Sequence, residues 1–194
     1  MSRIPLLVIV TGPPGAGKTT LARRIAEEFR LPLAAKDDIK ELLYNSLGWK
    51  DRELSKRLGA ATFELLAYFI KVQLAAGRSL VTEANFYPEI MSEHFRGMQA
   101  KYVFLPLQIL CHAETNILKQ RFRARWDSGL RHPGHVDNEI SELDLDRTIQ
   151  RNDEALDIGG EVVEVDTSDL SKIEYAALFQ AIESAQRACE QQAT

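Results

Sequence analysis

Apolar positions along the chain come in short blocks whose period changes from strand-like to helical and back. Leu6 to Val10 is an unbroken run of Leu and β-branched residues ending at Thr11-Gly12, which predicts a strand buried on both faces. Lys18 to Phe29 follows with Leu21, Ile25 and Phe29 at four-residue spacing, one face of a helix. After Pro32, Leu33-Ala34-Ala35 predicts a brief second strand, and Ile39 to Leu47 a helix stopped by Gly48. Leu54 to Ala76 reads as a long helix closed by Gly77, and Ser79 to Thr82 as a third strand running into Glu83. An amphipathic helix is expected from Ile90 to about Tyr102, a fourth strand from Leu107 to Cys111, and a helix from Glu114 to Trp126. Arg131-His132-Pro133-Gly134-His135 breaks regular structure and predicts a loop. Glu161 to Val165 is the fifth strand, and Ser171-Lys172-Ile173-Glu174 fits a capping box opening a C-terminal helix through Cys189. Strands alternating with helices call for an α/β fold, a parallel sheet covered on both faces. No repeat or linker divides the pattern, so residues 1–194 are expected to form a single domain.

Composition narrows the class. Apolar content of 45% and charged content of 27% are globular values and exclude disorder and coiled coil. Ile4 to Val10, the apolar run near the start, is too short to span a bilayer and lacks the flanks of a signal peptide. Two cysteines, Cys111 and Cys189, fit buried thiols in a reducing compartment, so a cytoplasmic protein without a membrane is expected. The net charge of −4 supplies no general attraction to nucleic acid. The charge is uneven, however. Arg121 to His135 carries four Arg against one acid, whereas Asp137 to Asp169 carries twelve acids against two bases. The acidic stretch reads as a solvated face.

Gly12-Pro13-Pro14-Gly15-Ala16-Gly17-Lys18-Thr19 fits G-x-x-x-x-G-K-[ST], the P-loop, between a buried strand and a patterned helix. Its glycines let successive N–H groups turn toward phosphate oxygens, and the helix adds its positive end at the same place. Lys18 is expected to reach the β- and γ-phosphates of a nucleoside triphosphate and the Thr19 hydroxyl to bind Mg²⁺. The dinucleotide fingerprint fails, because Thr20 stands where its third glycine belongs.

Ligands of open parallel sheets bind beyond the carboxyl ends of the strands. Asp37 and Asp38 follow the second strand, Glu83 the third and Asp166 the fifth. Transfer to an alcohol needs a base and a carboxylate that holds Mg²⁺. Asp37 is assigned the first role and Glu83 the second, with Asp166 as the other candidate for the metal and Asp38 as a candidate helix cap.

Lys36-Asp37-Asp38-Ile39-Lys40 and Glu83-Ala84-Asn85-Phe86-Tyr87-Pro88-Glu89 resemble the P-loop kinases of the polynucleotide kinase and zeta-toxin type, a group that includes chloramphenicol phosphotransferase. The resemblance covers most of residues 6 to 137. It implies a P-loop three-layer sandwich with a five-stranded sheet in the order 2-3-1-4-5 and a helical lid at about residues 121–140. It also implies Asp37 as the base and Lys40 as a substrate contact, where polynucleotide kinases usually carry Arg. Glu83 stands where the group often has Asp. Arg121 and Arg125 are similar to its lid arginines. Two Arg at i and i+4 repel unless an anion lies between them, and their forks suit phosphate oxygens. The expected ATP-binding residues are thus Gly12 to Thr20 with Arg125 and Thr167, the last in a wall beside the adenine. The expected acceptor contacts are Asp37, Lys40, Glu83, Asn85, Arg131 and His135. The helix Leu54 to Ala76 and Gly48-Trp49-Lys50 are expected to wall the acceptor.

His132 and His135 have no Cys or acid at ligand spacing, which disfavours zinc and favours a rigid lid segment. His94 and His112 read as structural. The leading expectation is ATP- and Mg²⁺-dependent phosphoryl transfer to a hydroxyl of a small molecule. The alternatives are a kinase for nucleic-acid 5′-hydroxyls and an ATPase or nucleotide switch that transfers to water.

Overall fold

The computed structural model describes residues 4–129 and 131–191. Leu130, inside the expected lid, lies outside the described residues. Five parallel strands form one sheet in the order β2-β3-β1-β4-β5. They are β1 (Leu6–Thr11), β2 (Leu33–Ala35), β3 (Leu80–Glu83), β4 (Leu105–His112) and β5 (Glu161–Asp166). The helices are α1 (Lys18–Phe29), α2 (Lys36–Leu47), α3 (Arg52–Ala75), α4 (Pro88–Gln99), α5 (Thr115–Asp127), α6 (Glu142–Gln150) and α7 (Tyr175–Gln191).

The run that predicted β1 is buried throughout, and its side chains alternate between two cores. Leu6, Val8 and Val10 pack with Leu21 and Ile25 of α1, Leu118 of α5 and Ile182 of α7. Leu7 and Ile9 pack on the opposite face with Leu66 and Ile70 of α3 and Phe95 of α4. At 24 residues α3 is long and apolar enough to cross a membrane by length and composition, yet here its apolar stripe lies against the sheet. β5 at the sheet edge is mostly exposed and carries Glu161, Glu164 and Asp166, charges that discourage further strand pairing.

The register decides where the chemistry gathers. Val10 and Ala35 both sit opposite Glu83, so β1, β2 and β3 end level. The chain leaves these three ends as Gly12, as Lys36-Asp37 and as Glu83 itself.

Several local predictions change. α2 starts at Lys36 rather than Ile39, directly off β2, so Asp37 and Asp38 lie in its first turn and face the positive helix end. Asp38 caps nothing; it pairs with Arg23 of α1 at 3.1 Å. Ser171 does not open α7. Asp169 caps a 3-10 turn at Leu170–Lys172 by accepting from the Ser171 amide, and α7 begins after it at Tyr175.

The acidic stretch is not simply a solvated face. It contains α6, whose Leu145 and Ile149 enter the core. The acids of α6 pair with α5: Lys119 reaches Asp146 at 2.5 Å and Glu142 at 3.7 Å, and Arg123 also pairs with Glu142.

Candidate functional site

The loop between β1 and α1 is shaped by contacts that leave no room for side chains. Gly12 has φ 135°, and a Cβ there would lie 2.1 Å from the Cys111 carbonyl oxygen; Gly15 has φ 83° and faces the Leu118 carbonyl oxygen. Gly17, also left-handed, precedes the first turn of α1. Buried Lys18 extends back over this loop and donates from Nζ to the Pro13 carbonyl at 2.8 Å. Burial lowers its pKa, and the Glu83 carboxylate opposes that loss.

The Thr19 hydroxyl donates to Glu83 Oε2 at 3.1 Å. Glu83 is 4% exposed, and burial pushes its carboxyl upward against the pull of Lys18. A hydroxyl and a desolvated carboxylate in contact, both hard oxygen donors, fit Mg²⁺. That ion takes one or two protein ligands and completes its shell with phosphates and water. Among the described residues no group of three or more His, Cys, Asp or Glu is placed to hold a metal; the ring nitrogens of His132 contact Asn45 Oδ1 and the Gly134 amide, and those of His135 contact Arg131 and Glu41.

A cavity of about 190 Å³ opens beside Lys18 and Thr19. Asp37, Lys40, Glu83, Asn85, Arg125, Arg131 and His135 all line it, along with Pro14 of the loop. The structure therefore gathers most of the expected residues in one place. It also adds Asp137, which sequence reading placed in the solvated stretch. The opposite charge of Arg131, close by in the chain, was the available signal.

Arg131 is the hub. Its Nη1 donates to Asp37 Oδ2 at 3.0 Å, its Nε to Asp137 Oδ2 at 2.5 Å and its Nη2 to His135 Nδ1 at 3.0 Å. Burial pushes the Asp37 carboxyl up, but Lys36 and Arg131 outweigh it and hold Asp37 ionised well below the usual carboxylate range. Because His135 Nδ1 accepts from a guanidinium, the proton sits on Nε2, which donates to Glu41 Oε1 at 3.0 Å. Burial, followed by the Arg131 charge, lowers the His135 pKa to about 3.

The segment around Arg131 is clamped to α2 and α3. Ser55 donates to the His135 carbonyl at 3.4 Å and contacts the Tyr44 hydroxyl at 2.7 Å, while Lys40 donates to Ser55 at 3.2 Å. Burial lowers the Lys40 pKa to about 8. His132 stacks on Tyr44 at 5.1 Å. Between His135 and Asp137, buried Val136 holds φ 54°, a left-handed conformation costly for a β-branched residue, about 1–3 kcal/mol. The two buried side chains flanking it over-determine that strain.

The His135 arrangement carries a pH prediction. An unfolded His protonates near 6.5, whereas folded His135 resists to about 3. As pH falls from 6.5 toward 3 the unfolded chain binds the extra proton, so this stability is present above 6.5 and drains away below it. Glu41, whose carboxyl burial raises, acts in the opposite direction and softens the loss. Urea unfolding at pH 7 and pH 4.5 should show the parent losing about 1–2 kcal/mol more than His135→Gln.

Three expected residues lie elsewhere. Arg121 donates to the carbonyls of Thr167 and Ser168 at 2.8 and 3.0 Å, so it does not share an anion with Arg125; these carbonyls offset its charge instead. The Thr167 hydroxyl is buried and donates to the His112 carbonyl. Asp166 is exposed and accepts from the Ser168 amide beyond β5, away from Thr19, which leaves Glu83 as the acid at the loop. Gly48-Trp49-Lys50 lines neither this cavity nor a larger one of about 910 Å³ beside it; α4 supplies the second wall there, facing α3.

Comparison with known proteins places this site in context. The profile of the AAA domain family matches residues 7–153. A crystal structure of a candidate kinase from Chloroflexus aurantiacus is 38% identical, covers 94% of this chain and 99% of its own, and superposes with a TM-score of 0.88. A shikimate kinase of Corynebacterium efficiens is 32% identical over 45% of this chain and 54% of its own length. A cytidylate kinase of Staphylothermus marinus is 38% identical over 31% of this chain and 28% of its own. The match thus spans about half the length of the first of these curated relatives and less of the second.

Proposed function

The chain belongs to the AAA domain family and to its P-loop kinase group, and from that premise we propose that it moves the γ-phosphate of ATP to a hydroxyl of a small-molecule acceptor. The observation that carries the reading is the meeting of Asp37 with the P-loop lysine and the Thr19–Glu83 pair in one small cavity. A hydrolase or switch needs the loop and the metal ligands, but has no use for an ionised carboxylate in a cavity that shares Lys36, Lys40, Lys56 and Tyr87 with a second, acceptor-sized one.

The roles follow from position. Loop amides and Lys18 hold the phosphates, and Thr19 Oγ1 and Glu83 Oε2 are the oxygens placed to hold Mg²⁺. That ion, when bound, offsets charge on the β- and γ-phosphates. Asp37 orients the acceptor hydroxyl and takes its proton as the acceptor oxygen bonds to phosphorus and the bond to ADP breaks. Arg125 and Arg131 supply guanidinium groups for the equatorial oxygens. Lys40 and Asn85 contact the acceptor, and His135 fixes Arg131 through its neutral tautomer. The chain acts as one domain with residues 121–140 as its lid. Its two cysteines, Cys111 and Cys189, are both buried, which agrees with work in the reducing cytoplasm.

The test is a screen of hydroxyl compounds with ATP and Mg²⁺, following the mass increase of a transferred phosphoryl group. A phosphorylated small molecule is expected. Release of ADP that no acceptor alters would overturn the reading in favour of hydrolysis.

A further inference from the structure

The larger cavity, about 910 Å³, lies between α3 and α4 and shares Lys36, Lys40, Lys56 and Tyr87 with the phosphate-side cavity. Its volume falls within the range that holds whole small molecules. Two properties of the lining say what fits. The middle is apolar and aromatic: Phe63 from α3 faces Met91 and Met98 from α4, with Tyr102 just beyond. Around this floor stand five lysines, 36, 40, 56, 71 and 101, against only Glu64 and Glu93. That excess is opposite in sign to the chain's net charge of −4. Among the described residues, Lys36 is the lysine of these five within ion-pair distance of a carboxylate, 3.9 Å from Asp37.

The lysines are also ordered along the cavity. Lys56 and Tyr87 line both cavities and so mark the end near Asp37. Both helices run away from that end. Lys71 lies about 22 Å further along α3 at 1.5 Å per residue, and Lys101 stands just past the last turn of α4. Two cations therefore sit at the end remote from the transfer site. Lysine is a compact point charge on a flexible stem, suited to a carboxylate at variable reach.

We propose that the acceptor is an amphipathic organic acid. Its hydroxyl meets Asp37, its apolar body lies on Phe63, Met91 and Met98, and its carboxylate is held at the far end by Lys71 and Lys101. This assignment rests on the kinase reading for the hydroxyl end, while the binding of an apolar anion stands independently of it. A nucleic-acid end fits less well, because its backbone would bring several phosphates against a lining that also carries Glu64 and Glu93.

The test has a binding arm and a turnover arm. With ADP saturating, fluorescence titration compares 8-anilinonaphthalene-1-sulfonate, an aromatic anion, with its uncharged parent N-phenyl-1-naphthylamine. The anion should bind about tenfold tighter than the neutral compound, and Lys71→Glu/Lys101→Glu should remove that preference while leaving the neutral compound's affinity in place. The neutral compound thereby reports whether the variant is folded. In the turnover arm, hydroxyaryl-alkanoic acids should show KM values about tenfold below those of their methylamides, with the gap closing in the double variant. Equal affinity for the two probes, a preference that survives the double variant, faster transfer to neutral alcohols, or transfer to 5′-hydroxyl oligonucleotides ahead of the acids would each overturn the proposal. Anion-selective binding without phosphorylation of any acid would leave the cavity's assignment standing and sink the kinase reading instead.

Discussion

Asp37→Asn is expected to slow phosphoryl transfer by about 10²–10⁴-fold while nucleotide affinity stays within about twofold of the parent. The amide keeps the size and one acceptor oxygen of the carboxylate but cannot take a proton. The proposed nucleotide contacts come from the loop, Lys18 and Thr19, and the side-chain bonds of Lys18 and Thr19 go to Pro13 and Glu83 rather than to Asp37. The depressed pKa of Asp37 makes it a weak base at first sight. Two features answer this. In a loose phosphoryl-transfer transition state the acceptor proton leaves late, so an ionised, well-placed oxygen matters more than high basicity. Moreover, one of the groups lowering that pKa is Arg131, bonded at 3.0 Å. Turning Arg131 from Asp37 toward a phosphate oxygen would return basicity to the carboxylate when substrate is present. Nucleotide titration by calorimetry and turnover on the acceptor from the screen separate the two effects. Full turnover by the variant would remove Asp37 from the mechanism.

The same bond has a consequence for stability. Asp37 is held ionised, so its contribution is present above an unfolded pKa near 3.9 and fades as pH falls below it. This window lies below most of the one governed by His135, so acid unfolding draws on the two groups in turn.

What the sequence made legible follows from physics that acts locally. β1, the glycine loop and α1 could be read directly, because a run buried on both faces, a left-handed turn and a four-residue apolar spacing each leave their own pattern. The sheet order came from resemblance, and register then made the ends of β1, β2 and β3 level. α6 escaped notice because its two buried residues, Leu145 and Ile149, are outnumbered by acids that read as solvated. Those acids are answered by Lys119 and Arg123 on a neighbouring helix, a pairing in space that a charge count along the chain cannot show. Asp137 was hidden in the same way. The α4 wall of the larger cavity was missed because Met91 and Met98 look like ordinary core positions; only their placement opposite α3 turns them into a lining. Arg121 and Arg125 illustrate the converse error. Spacing put them on one face, but each found its own surroundings, carbonyls for the first and the phosphate-side cavity for the second.

Arg125 supports the second large effect. Arg125→Ala should lower the rate of transfer by about 10³–10⁵-fold, the range for an arginine that answers charge on a transferring phosphoryl group. Its environment explains why. Burial and then the neighbouring Arg131 charge lower its pKa, and its Nε is buried without a hydrogen-bond partner among the described residues. Asp137, 3.9 Å from its Nη2, already spends the same oxygen on Arg131 at 2.5 Å. Burial and the Arg131 charge outweigh the pull of Asp137, Asp37 and Glu83 on this guanidinium, so it costs the resting fold and would be relieved by an incoming anion. Removing it should therefore leave thermal stability without ligand equal to or above the parent's, even as turnover collapses. Lysine at this position should not restore activity, since it lacks the planar fork that grips two oxygens at once. Addition of ADP with aluminium fluoride, which mimics the transferring group, should raise the melting temperature of the parent more than that of either variant. A fall in unliganded stability together with turnover within tenfold of the parent would mean that Arg125 serves the fold and not the phosphate.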